Sequence, residues 1–278
     1  MARVDDLQRD DAELCVFDGG EGQPVVFQHG LGGDEAQVAQ AFPDGSGTWR
    51  RLTVECRGHG GSSLGGSPDF SITMFAKDII AAADRQGIRH FIAGGISMGA
   101  AVALHLAHAF PDRVTGLILV RPAWTFAPAP ANMVPIREIA DLIRSNPLER
   151  ARDLFIHSET ARRLSAEAAD NFASLLGYFD RPNAVPFAGV LAGIAGDGPD
   201  VSKADAAALS LPALVIGNAQ DAIHPLDSAR LLAHTIPQAR FVEVIAKVAD
   251  KARHLAETRA AIDHFLMTHF KNRSLVTP

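Results

Sequence analysis

The sequence predicts an α/β fold: a mostly parallel sheet flanked by helices, with a helical segment inserted into it. Three observations carry this. Short continuous apolar runs alternate with longer stretches at helical spacing, which is the pattern of βαβ units. The alternation stops between residues 122 and 208, where only helical patterns occur, and then resumes. At 90–104 an apolar run meets an Ala-rich helical pattern at a tight corner, Gly95-Ile96-Ser97-Met98-Gly99.

In chain order, a strand is expected at 12–17, followed by Asp18-Gly19-Gly20-Glu21-Gly22, a turn of residues that tolerate left-handed backbone. Residues 24–28 suit a strand buried on both faces. That strand empties into His29-Gly30-Leu31-Gly32-Gly33, and 34–42 suits a helix. A strand at 52–56 precedes Arg57-Gly58-His59-Gly60. Ile72, Phe75, Ile79, Ala82 and Ala83 share one face of a helix over 72–86, closed by Gly87. A strand then runs to Ile96, a helix over 98–110 stops at Pro111, and a strand follows at 114–120. The Pro/Ala-rich stretch 122–130 reads as a hinge. Beyond it, amphipathic helices are expected at 134–144, 148–157, 166–179 and 185–194. The alternation returns with a strand at 212–217, a helix at 226–235, a strand at 240–245 and a helix at 255–270. The expected organisation is a core of 1–121 and 209–278 carrying a helical cap at 122–208.

Composition bounds the function. A 278-residue chain with 47% hydrophobic and 21% charged residues is ordinary for a soluble globular protein. Its net charge of −6 argues against nucleic-acid or anionic-membrane partners, and a small-molecule substrate is the expected partner. No apolar run reaches membrane-spanning length and the acidic N-terminus does not read as a secretory leader, so a cytoplasmic location is expected. Cys15 and Cys56 both fall in predicted strands, which favours buried free thiols over a bridge. No G-x-G-x-x-G follows a strand and no G-x-x-x-x-G-K-[ST] occurs, so no nucleotide cofactor is implied. His105 and His108 stand at i and i+3 without a nearby carboxylate, and no metal is expected. A homodimer is left open.

The corner at Ser97 has the context of a nucleophile elbow, where a strained strand-to-helix turn lifts one side chain clear of a sheet. A second match, Gly61-Ser62-Ser63-Leu64-Gly65, runs into a Gly/Ser/Pro-rich stretch with no helix after it, so Ser63 reads as a loop residue. A serine hydroxyl needs a base, and the base needs an orienting acid. In an open parallel sheet these partners belong in loops just after strands. The strand at 212–217 leads to Asp221 as its first acid, and the last strand is followed by one histidine before the final helix, His254. His224 is the rival base. It lies three residues past Asp221, a spacing that leaves little freedom on one loop to span to Ser97, so His254 is preferred.

The order Ser97, Asp221, His254 resembles that of the α/β-hydrolases, and the resemblance spans essentially the whole chain, helical cap included. The segment His29-Gly30-Leu31-Gly32-Gly33 resembles the family's oxyanion loop, and Arg57-Gly58-His59-Gly60-Gly61-Ser62 its glycine-rich loop after the fourth strand. The resemblance implies an α/β-hydrolase fold and an oxyanion hole made by the backbone N–H groups of Leu31 and Met98. It also implies hydrolysis of an ester, lactone or thioester through an acyl-enzyme, without a cofactor. A C–C bond hydrolase or a cofactor-free perhydrolase would use the same triad, and a ligand receptor on this fold is a different class of alternative. Three positions depart from the family's usual pattern: Arg253 stands before the histidine, Glu55 before the Arg-Gly loop, and Arg121 at a strand end. Arg121 is read as either a structural ion pair, with Asp34 or Glu35, or a clamp for a substrate carboxylate or phosphate. His29 either braces its loop or touches substrate. Of the cap aromatics Trp124, Phe126, Phe155, Phe172, Tyr178, Phe179 and Phe187, about two are expected to face an acyl pocket.

Overall fold

The computed structural model describes residues 1–4, 6–43, 48–67 and 69–271. The N-terminal part holds β1 (Ala2–Arg3), β2 (Leu7–Arg9), β3 (Ala12–Leu14), β4 (Val16–Gly19), β5 (Gln23–Gln28), α1 (Glu35–Ala41) and β6 (Trp49–Val54). Then follow α2 (Ile72–Arg85), β7 (Phe91–Ile96), α3 (Met98–Ala109) and β8 (Val114–Val120). Six α-helices occupy the next stretch: α4 (Val134–Ser145), α5 (Leu148–Ile156), α6 (Glu159–Glu167), α7 (Ala169–Leu176), α8 (Ala184–Gly196) and α9 (Lys203–Ala208). The chain closes with β9 (Ala213–Gly217), α10 (Leu226–Thr235), β10 (Ala239–Glu243) and α11 (Lys251–Phe270).

Eight strands form one sheet in the order β1-β4-β6-β5-β7-β8-β9-β10, and β2 pairs with β3 apart from it. Every neighbour from β6 to β10 is parallel, while β1 and β4 are antiparallel at one edge. The central strands β5, β7 and β8 are buried along nearly their whole length, which is why they read as unbroken apolar runs. From β5 the chain steps outward to β6 and then returns to β7 on the other side. The crevice between the carboxyl ends of β5 and β7 is therefore the switch point where open α/β sheets place ligands.

The local chemistry of helix starts explains where expected and observed elements differ. The expected strand 12–17 splits, because β3 turns to β2 while β4 joins the main sheet beside β6. The expected helix 166–179 begins inside α6, which Ser158 caps by accepting the Ala161 N–H, and a break at Ala168 separates it from α7. Ser202 and Asp205 form a capping box that starts α9. Asp250 accepts the Arg253 N–H and starts α11 at Lys251, four residues before the expected 255. That last difference bears directly on the site.

Candidate active site

Ser97 stands between β7 and α3, as the N-cap of α3, at φ +55, ψ −110, a conformation that L residues adopt only under strain. Glycines make this corner possible. A Cβ on Gly95 would lie 2.4 Å from the Gly99 carbonyl carbon, and one on Gly99 would lie 2.5 Å from the Gln28 carbonyl oxygen. Backbone thus packs on backbone where β7, α3 and β5 converge. The decoy Ser63 instead pairs through its backbone N–H and its hydroxyl with the backbone of Glu13, as a loop brace.

The histidine against Ser97 is His224. Its Nε2 lies 2.8 Å from Ser97 Oγ, and its Nδ1 lies 2.8 Å from Asp221 Oδ1. The same carboxylate oxygen accepts the His224 backbone N–H at 3.0 Å, so one Asp-x-x-His turn fixes both the backbone and the ring of the histidine. Gln220, at φ +56, folds the chain back just before Asp221. Closeness in sequence therefore does not limit reach: the turn presents both side chains toward Ser97 from a single loop. With Nδ1–H donated to the carboxylate, Nε2 is left as an acceptor for the serine hydroxyl.

His254 does not reach Ser97. Because Asp250 caps α11, His254 lies in the first turn of that helix rather than in the preceding loop, and its Nδ1 donates to the Ile245 carbonyl at 2.8 Å. Among the described residues no hydrogen bond joins it to Ser97 or Asp221. The expected base is corrected on this ground.

Asp221 is fully engaged. Oδ1 also accepts from Asn171 Nδ2 of α7 at 2.9 Å, and Asn171 Oδ1 in turn accepts the Ala222 N–H at 2.7 Å. Oδ2 accepts from Arg121 Nε at 2.9 Å and from Nη2 of the same guanidinium. Arg121 is thus neither paired with Asp34 or Glu35 nor free to clamp a ligand with its whole fork. It sits at φ +47 at the end of β8, with its N–H donated to Ile216. Burial works to raise the Asp221 carboxyl, but His224 and Arg121 outweigh it and hold the acid well below the usual carboxylate range. Burial pushes His224 below its ordinary value, Asp221 opposes this, and Arg121 adds to the lowering.

A cavity of about 100 Å³ opens at Ser97, with Leu31, Arg121, Tyr178, His224 and Lys247 among its walls. Lys247 Nζ bridges to Asp170 of α7 at 2.8 Å. The loop 29–33 lies beside Ser97, since a Cβ on Gly30 would be 3.4 Å from Ser97 Cβ. Arg181 Nη1 donates to the Gly32 carbonyl at 2.7 Å and Tyr178 Oη to that of Leu31 at 3.2 Å, so the helical segment holds this loop in place. Met98 opens α3, where an N–H has no carbonyl four residues back to bond.

Two expected contacts are corrected. His29 is fully buried and braces the loop, with Nδ1 donating to the Gly30 carbonyl at 2.8 Å and Nε2 accepting the Cys56 N–H at 3.0 Å. Burial pushes its ring down to about 4, which keeps Nε2 an acceptor. Trp124 is buried too, its Nε1 donating to the Asp197 carbonyl at 2.9 Å, and it lies outside the cavity wall. Of the seven cap aromatics only Tyr178 lines the cavity. Glu55 takes the N–H groups of Glu35 and Gly61, tying the two glycine-rich loops together. Both cysteines are free and buried. His105 Nδ1 pairs with the Pro199 carbonyl, and no group of three metal-ligating side chains is present among the described residues. None of the helices described is long and apolar enough to cross a membrane.

Asn171 and Lys247 had no signal in the sequence, being single polar residues in amphipathic or loop patterns. His224 did have one, the Asp-x-x-His spacing, whose turn geometry lets a single carboxylate hold the ring.

The profile of the alpha/beta hydrolase fold family matches residues 23–252. The chain is 27% identical over 236 residues to a putative carbamate hydrolase RutD of Klebsiella pneumoniae, covering 79% of this chain and 82% of the relative. It is 27% identical over 248 residues to a 2-hydroxymuconate semialdehyde hydrolase of Pseudomonas putida, covering 81% and 80%. Among solved structures, the enol-lactonase of Burkholderia xenovorans LB400 superposes with a TM-score of 0.71 at 24% identity, over 94% of this chain and 99% of that one. A thermophilic esterase of Thermogutta terrifontis superposes at 0.68 with 25% identity, over 96% and 97%. With its sheet order, its elbow and this match over most of its length, the chain belongs to the α/β-hydrolase fold family.

Proposed function

We propose that the protein is a serine hydrolase that cleaves small carboxylic esters or lactones through an acyl-enzyme on Ser97, with His224 as general base and Asp221 as its orienting acid. The observation that carries this is the continuous line from Ser97 Oγ to His224 Nε2 and from His224 Nδ1 to Asp221 Oδ1, each step 2.8 Å. Ser97 Oγ attacks the carbonyl carbon while its proton passes to His224 Nε2. The imidazolium is stabilised by Asp221, which stays ionised. The N–H groups of Leu31 and Met98 receive the developing oxyanion, a contribution of about 3 kcal/mol per donor in sites of this kind. Nε2 then returns the proton to the departing alkoxide, and a water, deprotonated by the same nitrogen, releases the acid and frees Ser97.

The small cavity favours a short acyl group, since sites for drug-sized ligands run to about 300 Å³ and more. The four relatives named above carry the names of hydrolases, which supports the class and leaves the substrate to the site. On this reading the helices α4–α9 act as a cap, and no cofactor is needed. The test is labelling with a fluorophosphonate probe together with turnover of a p-nitrophenyl ester panel. Label is expected on Ser97, and Ser97→Ala is expected to lose about 10⁵- to 10⁶-fold in kcat. A Ser97→Ala protein that keeps most of its ester hydrolysis overturns the proposal.

A further inference from the structure

A second cavity, of about 200 Å³, adjoins the one at Ser97 and shares Gln37, Ile96, Arg121 and Lys247 with it. Its wall carries three cationic side chains, Arg121, Lys247 and Lys251, and no aspartate or glutamate. The acids that pair with two of them, Asp221 and Asp170, stand outside the wall. With Arg121 and Lys247 held by those acids, Lys251 is the cation of this wall without an acid partner among the described residues.

The remaining polar groups point to an anion as the ligand. Lys251, His254, Leu255 and Thr258 fall on one face of α11 along the cavity. Thr258 is 1% exposed, and its Oγ1 has no hydrogen-bond partner among the described residues, although buried hydroxyls are normally paired. Gln37 Oε1 is taken by the Gly30 N–H at 2.7 Å, which leaves its amide N–H groups as donors at the boundary of the two cavities.

We infer that this cavity is a carboxylate subsite: it takes the free carboxylate of a substrate whose scissile carbonyl sits at Ser97, so that the enzyme prefers monoesters of short dicarboxylic acids, or lactones bearing a carboxylate. Lys247 and Lys251 supply charge, and Gln37 and Thr258 supply hydrogen-bond donors. The inference rests on the reading of Ser97 as the nucleophile.

Two measurements test it. The first compares kcat/KM for the mono-p-nitrophenyl ester of glutaric acid with that for p-nitrophenyl butyrate, in wild type, Lys251→Glu and Thr258→Val. Lys203→Glu, the same change in net charge outside the cavity wall, serves as control. Wild type and the control should favour the charged ester, and Lys251→Glu should cut the charged-to-neutral ratio at least tenfold, with a smaller drop for Thr258→Val. The second is calorimetric titration of each protein with glutarate, expected to bind wild type and to weaken at least tenfold in Lys251→Glu. Ratios within twofold of wild type in both cavity variants overturn the subsite, as does the absence of glutarate binding to wild type. If glutarate binds as expected but neither ester is cleaved, it is the nucleophile reading that fails and the anion site that stands.

Discussion

Arg121 offers the sharpest energetic test, because it is the one cation in direct contact with the acid of the proposed triad. Asp221 is 2% exposed and Arg121 11% exposed at the side chain, so removing the guanidinium leaves a carboxylate that is still buried. In Arg121→Met, Oδ1 keeps its bonds from His224 and Asn171, but Oδ2 loses both of its donors. Breaking a buried ion pair from one side costs about 3–5 kcal/mol, because the remaining charge stays buried. For a chain of this size that corresponds to a fall in Tm of roughly 6–20 °C. The cost depends on pH in a defined direction. A carboxyl held below its unfolded value stabilises the fold above that value, here 3.8, and the contribution fades as pH drops toward the folded pKa. The gap between wild type and variant should hold from neutrality to about pH 4 and narrow below it. The same substitution removes a cation that lowers His224, so imidazolium forms more readily and the acidic limb of kcat/KM should move to higher pH. Thermal unfolding from pH 3 to 8 and a pH–rate profile measure both effects. A Tm within about 2 °C of wild type at neutral pH, or an acidic limb that stays or moves down, refutes the reasoning.

Other predictions follow from neighbouring contacts. Asn171→Ala strands the half-buried Ala222 N–H and removes a donor from Asp221, so urea unfolding should show a loss of about 1–3 kcal/mol; a loss under about 0.5 kcal/mol would mean that α7 does not secure the Asp221 loop. Gly95→Ala drives a Cβ into the Gly99 carbonyl carbon, an atom of the backbone that cannot turn aside, and should cost about 3 kcal/mol or more while slowing fluorophosphonate labelling. Labelling at the wild-type rate in a fully stable Gly95→Ala protein would dismiss the close-packed elbow.

Much of this arrangement was legible in the sequence, for local reasons. The elbow announces itself because the hydrophobic period changes from strand to helix across five residues whose glycines are sterically required. The parallel strands are legible because burial on both faces leaves no polar alternation. The short strands β1 and β2, of two and three residues, carry too little pattern to read. Which histidine meets Ser97 is harder to read, for a subtler reason. A loop over 246–254 makes His254 the natural partner of Ser97, whereas the capping bond of Asp250 converts its last residues into helix and turns the ring to Ile245. Conversely, proximity to Asp221 counted against His224, yet an Asp-x-x-His turn is what locks acid and base together. Asn171 and Lys247 come from remote segments, and only the packing of α7 over the Asp221 loop brings them in.

The most direct measurement is kcat/KM for a neutral p-nitrophenyl ester in His224→Ala and His254→Gln, each confirmed as folded by circular dichroism. With His224 as the proton carrier, His224→Ala should lose on the order of 10⁴- to 10⁶-fold. His254→Gln, which keeps a donor for the Ile245 carbonyl, should stay within about tenfold of wild type. A folded His224→Ala enzyme that remains active beside an inactive His254→Gln would contradict the account.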